Sequence, residues 1–380
     1  MEKNNDNFMQ SVMNAINGNN TMVSVNTDPK PLAWNGVMGC KSFNTPVTVS
    51  EAAEEVGANY EVKKHHMVAI SDELYDAIIN GTPITETTLT KDCIVSSHMA
   101  TMREDNGHIL GCVGKDYGVV SNENSLAFFN HILNGDISSN SERAVIETAG
   151  ILNDGGRFYI TAKMNSDIRI QDDDSPIEDY LLLSNDHTGS GSVSVCFTGI
   201  RVVCMNTLNA ALRNAKNKLV YKHTSRVNER MDLSNETNFK RAAEVLKFHE
   251  IYKKAFIEDL NHLRNIKLKE NDVMDMVCRV FADEKEMNAI RANYYSIDGL
   301  DSETLSTRKK NLISSLRDSV ESGIGQNTNR GSGLWMYNGI TTWANNNRSY
   351  KSEEQKFETI FEGDIAKKVQ KMHDLILEYA

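Results

Sequence analysis

From Phe239 to Leu263 the apolar residues Phe239, Ala242, Val245, Phe248, Tyr252, Ala255, Phe256, Leu260 and Leu263 recur at steps of three and four. That spacing lines up one stripe of a single long helix, whereas a strand would send alternate members to opposite faces. A helix of this length needs a broad apolar surface to lie on, and the preceding sequence offers one. Short β-compatible runs at Thr45–Val49, Tyr60–Val62, Met67–Ile70, Gly150–Lys163, Tyr180–Ser184 and Ser192–Thr198 are interspersed with helical stretches. The helices are expected at Ser50–Val56, with Ser50 as cap, at Asp72–Asn80, and through Leu126, Phe129, Ile132 and Leu133. Gly107–Val120 reads as two short strands around a Gly-Lys-Asp turn, and His187-Thr-Gly-Ser-Gly-Ser192 has the turn chemistry of a hairpin.

Beyond the long helix, Val273, Met274, Val277, Val280 and Phe281 mark a second one, capped by Asn271 or Asp272. A Ser/Gly/Asn-rich stretch at 319–333 reads as a loop, and two more helices close the chain, the last carrying Ile365, Val369, Met372 and Ile376. The expected fold class is α+β, a mainly antiparallel sheet with packed helices followed by a mostly helical C-terminal part. Three regions follow from these patterns: a flexible N-terminal arm at 1–28, an α+β core at 29–235 and a mainly helical region at 236–380.

Composition narrows the function class. With 40% hydrophobic residues and only 5 Pro in 380 residues, the chain is a folded protein rather than a low-complexity one. No run approaches the roughly 18 consecutive apolar residues of a membrane span, and the start, Met-Glu-Lys-Asn-Asn-Asp, lacks a secretory pattern. The six cysteines form no C-x-x-C pair and read as reduced, mostly buried thiols, so a cytoplasmic protein is expected. The phosphate-cradling G-x-x-x-x-G-K-[ST], H-E-x-x-H, G-x-S-x-G and G-x-G-x-x-G patterns are all missing, which excludes an ordinary ATPase and points away from an enzyme. No cofactor and no metal are expected. Asp172-Asp173-Asp174 could chelate a hard cation but reads better as a solvated tip, and His65-His66 as surface or partly buried histidines.

Charge is segregated. The net charge is −11, yet residues 201–230 hold Arg201, Arg213, Lys216, Lys218, Lys222, Arg226 and Arg230 against the single acid Glu229, a local +6. Residues 167–186 hold seven acids against Arg169, a local −6. The basic run suits phosphate contacts, or is a solvated face, or pairs with the acidic block. Trp335 and Trp343, with Tyr337 between them, and separately Tyr221, could stack on bases. The alternative for the tryptophan block is an anchor that docks the C-terminal helices.

Gly199-Ile-Arg-Val-Val-Cys-Met-Asn-Thr-Leu-Asn-Ala-Ala211 resembles the arginine–cysteine–asparagine–threonine–leucine signature of the phage/plasmid-like family that carries the domain of unknown function 932. Further blocks keep the family order: Leu110–Glu123, Glu147–Leu152, Ser184-Asn-Asp-His-Thr-Gly-Ser190, His223-Thr224 and Trp335–Trp343. The pattern departs at Asp186-His187-Thr188, where a glycine is expected after the aspartate. Within the signature, Arg201 offers a planar fork for phosphate or carboxylate, or pairs with Asp186, and Asn206 would cap a helix starting near Thr207. The resemblance implies a protein of a mobile element in a bacterial host cytoplasm and, by analogy, a fold akin to single-strand annealing proteins. The expected function is non-enzymatic binding of single-stranded DNA in recombination, annealing or replication, as a homo-oligomer. The competing expectation is an interaction or structural protein that counteracts host defence or forms an assembly.

Overall fold

A computed structural model describes residues 21–24, 47–83, 90–134, 144–164, 168–171, 173, 177–201, 206–208, 218–323, 326–351, 355–356, 359–360 and 363–380. For residues 21–24, 200–201, 206–208, 218, 239 and 242–250 it gives backbone only. The strands in chain order are β1 (Thr21–Ser24), β2 (Val62–Val68), β3 (Ile94–Arg103), β4 (Ile109–Gly114), β5 (Val145–Leu152), β6 (Arg157–Lys163), β7 (Ile177–Asp186), β8 (Val193–Arg201), β9 (Asn206–Leu208) and β10 (Lys218–Tyr221). They build two antiparallel sheets, a large one in the order β1-β5-β6-β7-β8-β10 with β9 also on β8, and a small one in the order β2-β3-β4. The fold is α+β, as the periodicities imply.

Several local expectations are corrected. Val49 opens a helix, α1 (Val49–Glu55), instead of closing a strand, and its cap is Thr48 rather than Ser50. Thr48 Oγ1 accepts from Glu51 N while the Glu51 carboxylate accepts from Thr48 N at 2.7 Å, a reciprocal box that satisfies both orphan amides. Gly150–Lys163 is not one strand: Asn153 and Asp154 sit at φ +51° and Gly155 at φ +104°, so Asn-Asp-Gly-Gly turns the chain between β5 and β6. Of Gly107–Val120 only β4 is strand, paired to β3. Asn206 does not cap a helix, because Asn206–Leu208 is strand β9 paired to Gly199–Arg201. Thr21–Ser24 is an edge strand on β5 rather than part of a flexible arm; the rest of the 1–28 arm lies outside the described residues.

One face of the large sheet carries Phe158, Ile160, Leu181, Leu183, Val195 and Phe197, all buried, and the helices cover it. Helix α2 (Asp72–Ile79) belongs to the small sheet's end. Helix α3 (Asn122–Asn134) sets Phe128 edge-on to Tyr221 at 5.4 Å. After the short α4 (Val227–Met231), the long helix α5 (Glu236–Asn265) is capped by Asn235, whose side chain accepts from Thr237 N and Asn238 N. Tyr252 of α5 stacks on Phe197, and Phe256 lies where a Cβ on Gly199 would be 2.9 Å away, so that glycine lets the helix settle onto the sheet.

The remaining helices pack on α5 and on each other: α6 (Glu270–Phe281), α7 (Glu284–Ala292), α8 (Thr307–Ser322), α9 (Gly333–Thr342) and α10 (Asp364–Leu377). Helix α6 starts at a Lys269 cap with Asp272 accepting the Lys269 amide, not at Asn271 or Asp272. The expected 319–333 loop is helical up to Ser322. Helix α9 is buried along its whole length because Gly333 and Gly339 admit Ile376 and Val320: a Cβ on either glycine would lie 2.4 Å from those side chains. A single hydrophobic core runs from α1 and the large sheet through to α10. Among the described residues, no helix is long and apolar enough to cross a membrane.

Candidate functional site

The blocks that carry the family resemblance are far apart in sequence, and three of them meet at one place, the turn from β7 to β8. Asp186 ends β7 with no exposure and receives Thr188 N at 2.8 Å, Thr188 Oγ1 at 2.7 Å and Arg157 Nη2 at 2.7 Å. Arg157 itself is 3% exposed, so a charge pair is held inside the protein by several donors at once. The turn takes its left-handed residue at Gly189, φ +88°, and leaves His187 in ordinary backbone. The glycine expected after the aspartate is therefore unnecessary here.

The small sheet and the loop after it close on this turn. Thr101 Oγ1 of β3 donates to the His187 carbonyl at 2.7 Å, and Tyr117 OH donates to the Asp186 carbonyl at 2.9 Å. Gly111 of β4 lies so near Thr188 that a Cβ there would be 2.1 Å from its carbonyl oxygen. Tyr117 stacks on His223 at 4.6 Å, and His223 and Gly118 exchange hydrogen bonds. Behind the turn, Asn122 Nδ2 donates to the Ala58 carbonyl at 3.0 Å, which aims its Oδ1 at His187 and Asn185. Asn185 Nδ2 donates to that oxygen at 3.1 Å and to the Val120 carbonyl at 3.0 Å.

This amide orientation assigns the histidine tautomer. Facing an acceptor at 2.9 Å, His187 Nε2 carries the proton, and Nδ1 has no hydrogen-bond partner among the described residues. Burial, then the neighbouring His223, drives the His187 pKa down to about 3 against the opposing pull of Asp186. Burial lowers His223 as well. Both imidazoles are thus biased towards the neutral form, and the cluster is a polar joint that locks two sheets together.

The described members of the acidic block, Asp173, Glu178, Asp179 and Asp186, are buried in the fold. Asp186 pairs with Arg157, Glu178 with Lys163 at 2.5 Å, and Asp173 accepts from Asn329 Nδ2 at 2.9 Å. Asp173 is buried, so it is no solvated tip; Asp172 and Asp174 lie outside the described residues. Among the described residues, no group of three His, Cys, Asp or Glu could hold a metal ion. His65 is half-buried and meets the Glu104 carboxylate at 2.6 Å, while His66 is exposed. Cys278 is sealed, its thiol pushed up to about 11 by burial and by Asp275, whereas Cys112 is exposed.

Three cations of the basic run are described with their side chains. Lys222, Arg226 and Arg230 are exposed where β10 leads into α4, and none forms an ion pair with a carboxylate among the described residues. Strand β10 is an edge of the large sheet, with Val220 exposed beside these cations. Arg213, Lys216 and the side chains of Arg201 and Lys218 lie outside the described residues. The stacking role is corrected: Trp335, Trp343 and Tyr221 are 5%, 3% and 3% exposed. Trp343 meets Phe281 edge-on at 5.3 Å, so the tryptophan block anchors helices and presents no ring face to a base.

Sequence reasoning missed Arg157, Thr101 and Asn122 as members of the joint. Nothing in their own segments sets them apart from neighbouring polar residues, and the outward sign is the recurrence of glycine at 111, 118, 156, 189 and 191. Comparison with curated proteins and with solved structures finds no match. Residues 109–361, two thirds of the chain and all of the joint except Ala58 and Thr101, match the profile of the domain of unknown function DUF932, and the chain belongs to that family.

Proposed function

We propose that this is a non-enzymatic DNA-binding protein of a phage or plasmid, acting on single strands in the bacterial cytoplasm during recombination, annealing or replication. The observation that carries the reading is the unpaired cation group Lys222, Arg226 and Arg230 on the β10 edge. A protein with a net charge of −11 binds a polyanion only through a local concentration of positive charge. With Tyr221, Trp335 and Trp343 buried, contact by these cations is to phosphates rather than to base faces, so affinity should be indifferent to sequence.

Fluorescence anisotropy of a labelled oligonucleotide across a salt series tests this. Three phosphate contacts from the described cations imply a log K against log salt slope of about −2, steeper if Arg213, Lys216 and Lys218 join them. Lys222→Glu, Arg226→Glu and Arg230→Glu together should abolish binding. The matched change at Lys367, Lys368 and Lys371, where Lys368 is tied to Asp364 on α10, should leave it unchanged. Wild-type protein that never binds at low salt overturns the proposal and leaves the interaction-protein reading.

A further inference from the structure

The small sheet reaches outward from the joint. Ile94 begins β3 seven residues from Thr101, which at 3.3 Å per residue places it about 23 Å from the joint. At that far end sits α2, capped by Ser71, with Leu74 as its one buried apolar side chain. Tyr75, Ile78 and Ile79, at helical spacing i, i+3 and i+4, are exposed, Ile79 by 66%. Val68, Ile70 and Ile94, the first and last paired across β2 and β3, are exposed next to them. Six large apolar side chains at one extremity form a patch that monomeric soluble proteins seldom leave open.

Charge decides what covers it. The same helix presents Asp72, Glu73 and Asp76, all exposed and without a cationic partner among the described residues. Docking of this tip on its own copy by a two-fold axis would set these three carboxylates against each other. It fits a surface that is basic with an apolar centre. The β10–α4 segment has that composition: Val220 is exposed near the end of β10, and Lys222, Arg226 and Arg230 that follow it outnumber the one exposed acid between them, Glu229.

We infer that the α2 tip of one molecule docks on the β10–α4 edge of a second copy, head to tail. Such a contact is heterologous and leaves a free tip and a free edge at the ends, so it propagates into a ring or a filament. It competes with the DNA reading for the same three cations, so an edge covered by a second copy cannot also hold phosphates.

Sedimentation velocity on the full chain without nucleic acid tests it. Association should rise with protein concentration and weaken between about 50 mM and about 500 mM salt, where screening shortens from well over 10 Å to a few ångströms. Ile78→Asp with Ile79→Asp should weaken association by about tenfold or more, with unchanged thermal unfolding and with oligonucleotide binding retained or tightened as the cations are freed. Should that pair perturb folding, Tyr75→Ser at its exposed position serves the same purpose. Reversing the acids (Asp72, Glu73 and Asp76 to Lys) or the cations (Lys222, Arg226 and Arg230 to Glu) should each dissociate the assembly, and both reversals in one chain should restore it. A monomer at every concentration, indifference to the tip variants, or no restoration by the double reversal overturns the inference. Oligonucleotide binding by the wild type is scored separately.

Discussion

Acidification should undo the joint, and His187 sets how fast. Its folded pKa lies at about 3, while an unfolded histidine titrates near 6.5. A folded value depressed below the unfolded one means that the unfolded chain takes up the proton first. Stability is therefore present above about pH 6.5 and is lost as pH falls towards 3. Between pH 7 and pH 5 this one residue withdraws roughly 2 kcal/mol, of which about 0.7 has gone by pH 6. His223, lowered in the same direction, adds to the slope. The assay is urea unfolding at pH 7, 6 and 5 for the wild type and for His187→Gln. The variant starts less stable, but its loss between pH 7 and 5 should be smaller by about 2 kcal/mol. Equal pH slopes in the two proteins, or an imidazole resonance of folded His187 that titrates above pH 5, would refute the reasoning.

Asp186→Ala leaves Arg157 buried without its counter-charge and should cost about 3–5 kcal/mol, measured by denaturant unfolding; a loss under about 1 kcal/mol would mean that water reaches the site. Gly111→Ala places a methyl group against the Thr188 carbonyl and should destabilise by about 1–3 kcal/mol or more, seen as a lowered melting temperature. Trp343→Ala should cost about 3–5 kcal/mol of stability, and oligonucleotide affinity measured well below the melting temperature should stay the same, since the ring is packed on Phe281 and not offered to a ligand.

What could be read before folding was whatever is local. The step of three and four from Phe239 to Leu263 places α5 within a few residues of its true ends, and the Thr-Gly-Ser-Gly run marks the β7–β8 hairpin. Turn chemistry was legible but overlooked at Asn153–Gly156, where β-compatible neighbours on both sides suggested one strand. The joint was not legible, because its bonds link residues such as Thr101 with His187 and Asn122 with His187 across 86 and 65 positions. No periodicity encodes such a pairing. The tryptophan block looks the same locally whether it stacks on bases or packs on helices, and only the fit of Gly333 and Gly339 against α10 and α8 decides. The excess of cations at 201–230 was countable, but their separation from the acidic block required seeing Arg157 and Lys163 already engaged there.

The joint between the sheets is fastened mainly by oriented hydrogen bonds and close glycine contacts, with little interchangeable apolar packing. Grease tolerates sliding, whereas a hydroxyl aimed at one carbonyl tolerates almost none. Everything beyond Thr101 therefore behaves as a lever about 23 Å long whose angle is set at the pivot. A tilt of about 5° there, within reach of one lost hydrogen bond, swings α2 by roughly 2 Å. Substitutions at Thr101, Gly111 or Tyr117 should then alter where the far end points before they alter whether the protein folds. Relatives that differ at these positions would share a body and hold their arms at different angles.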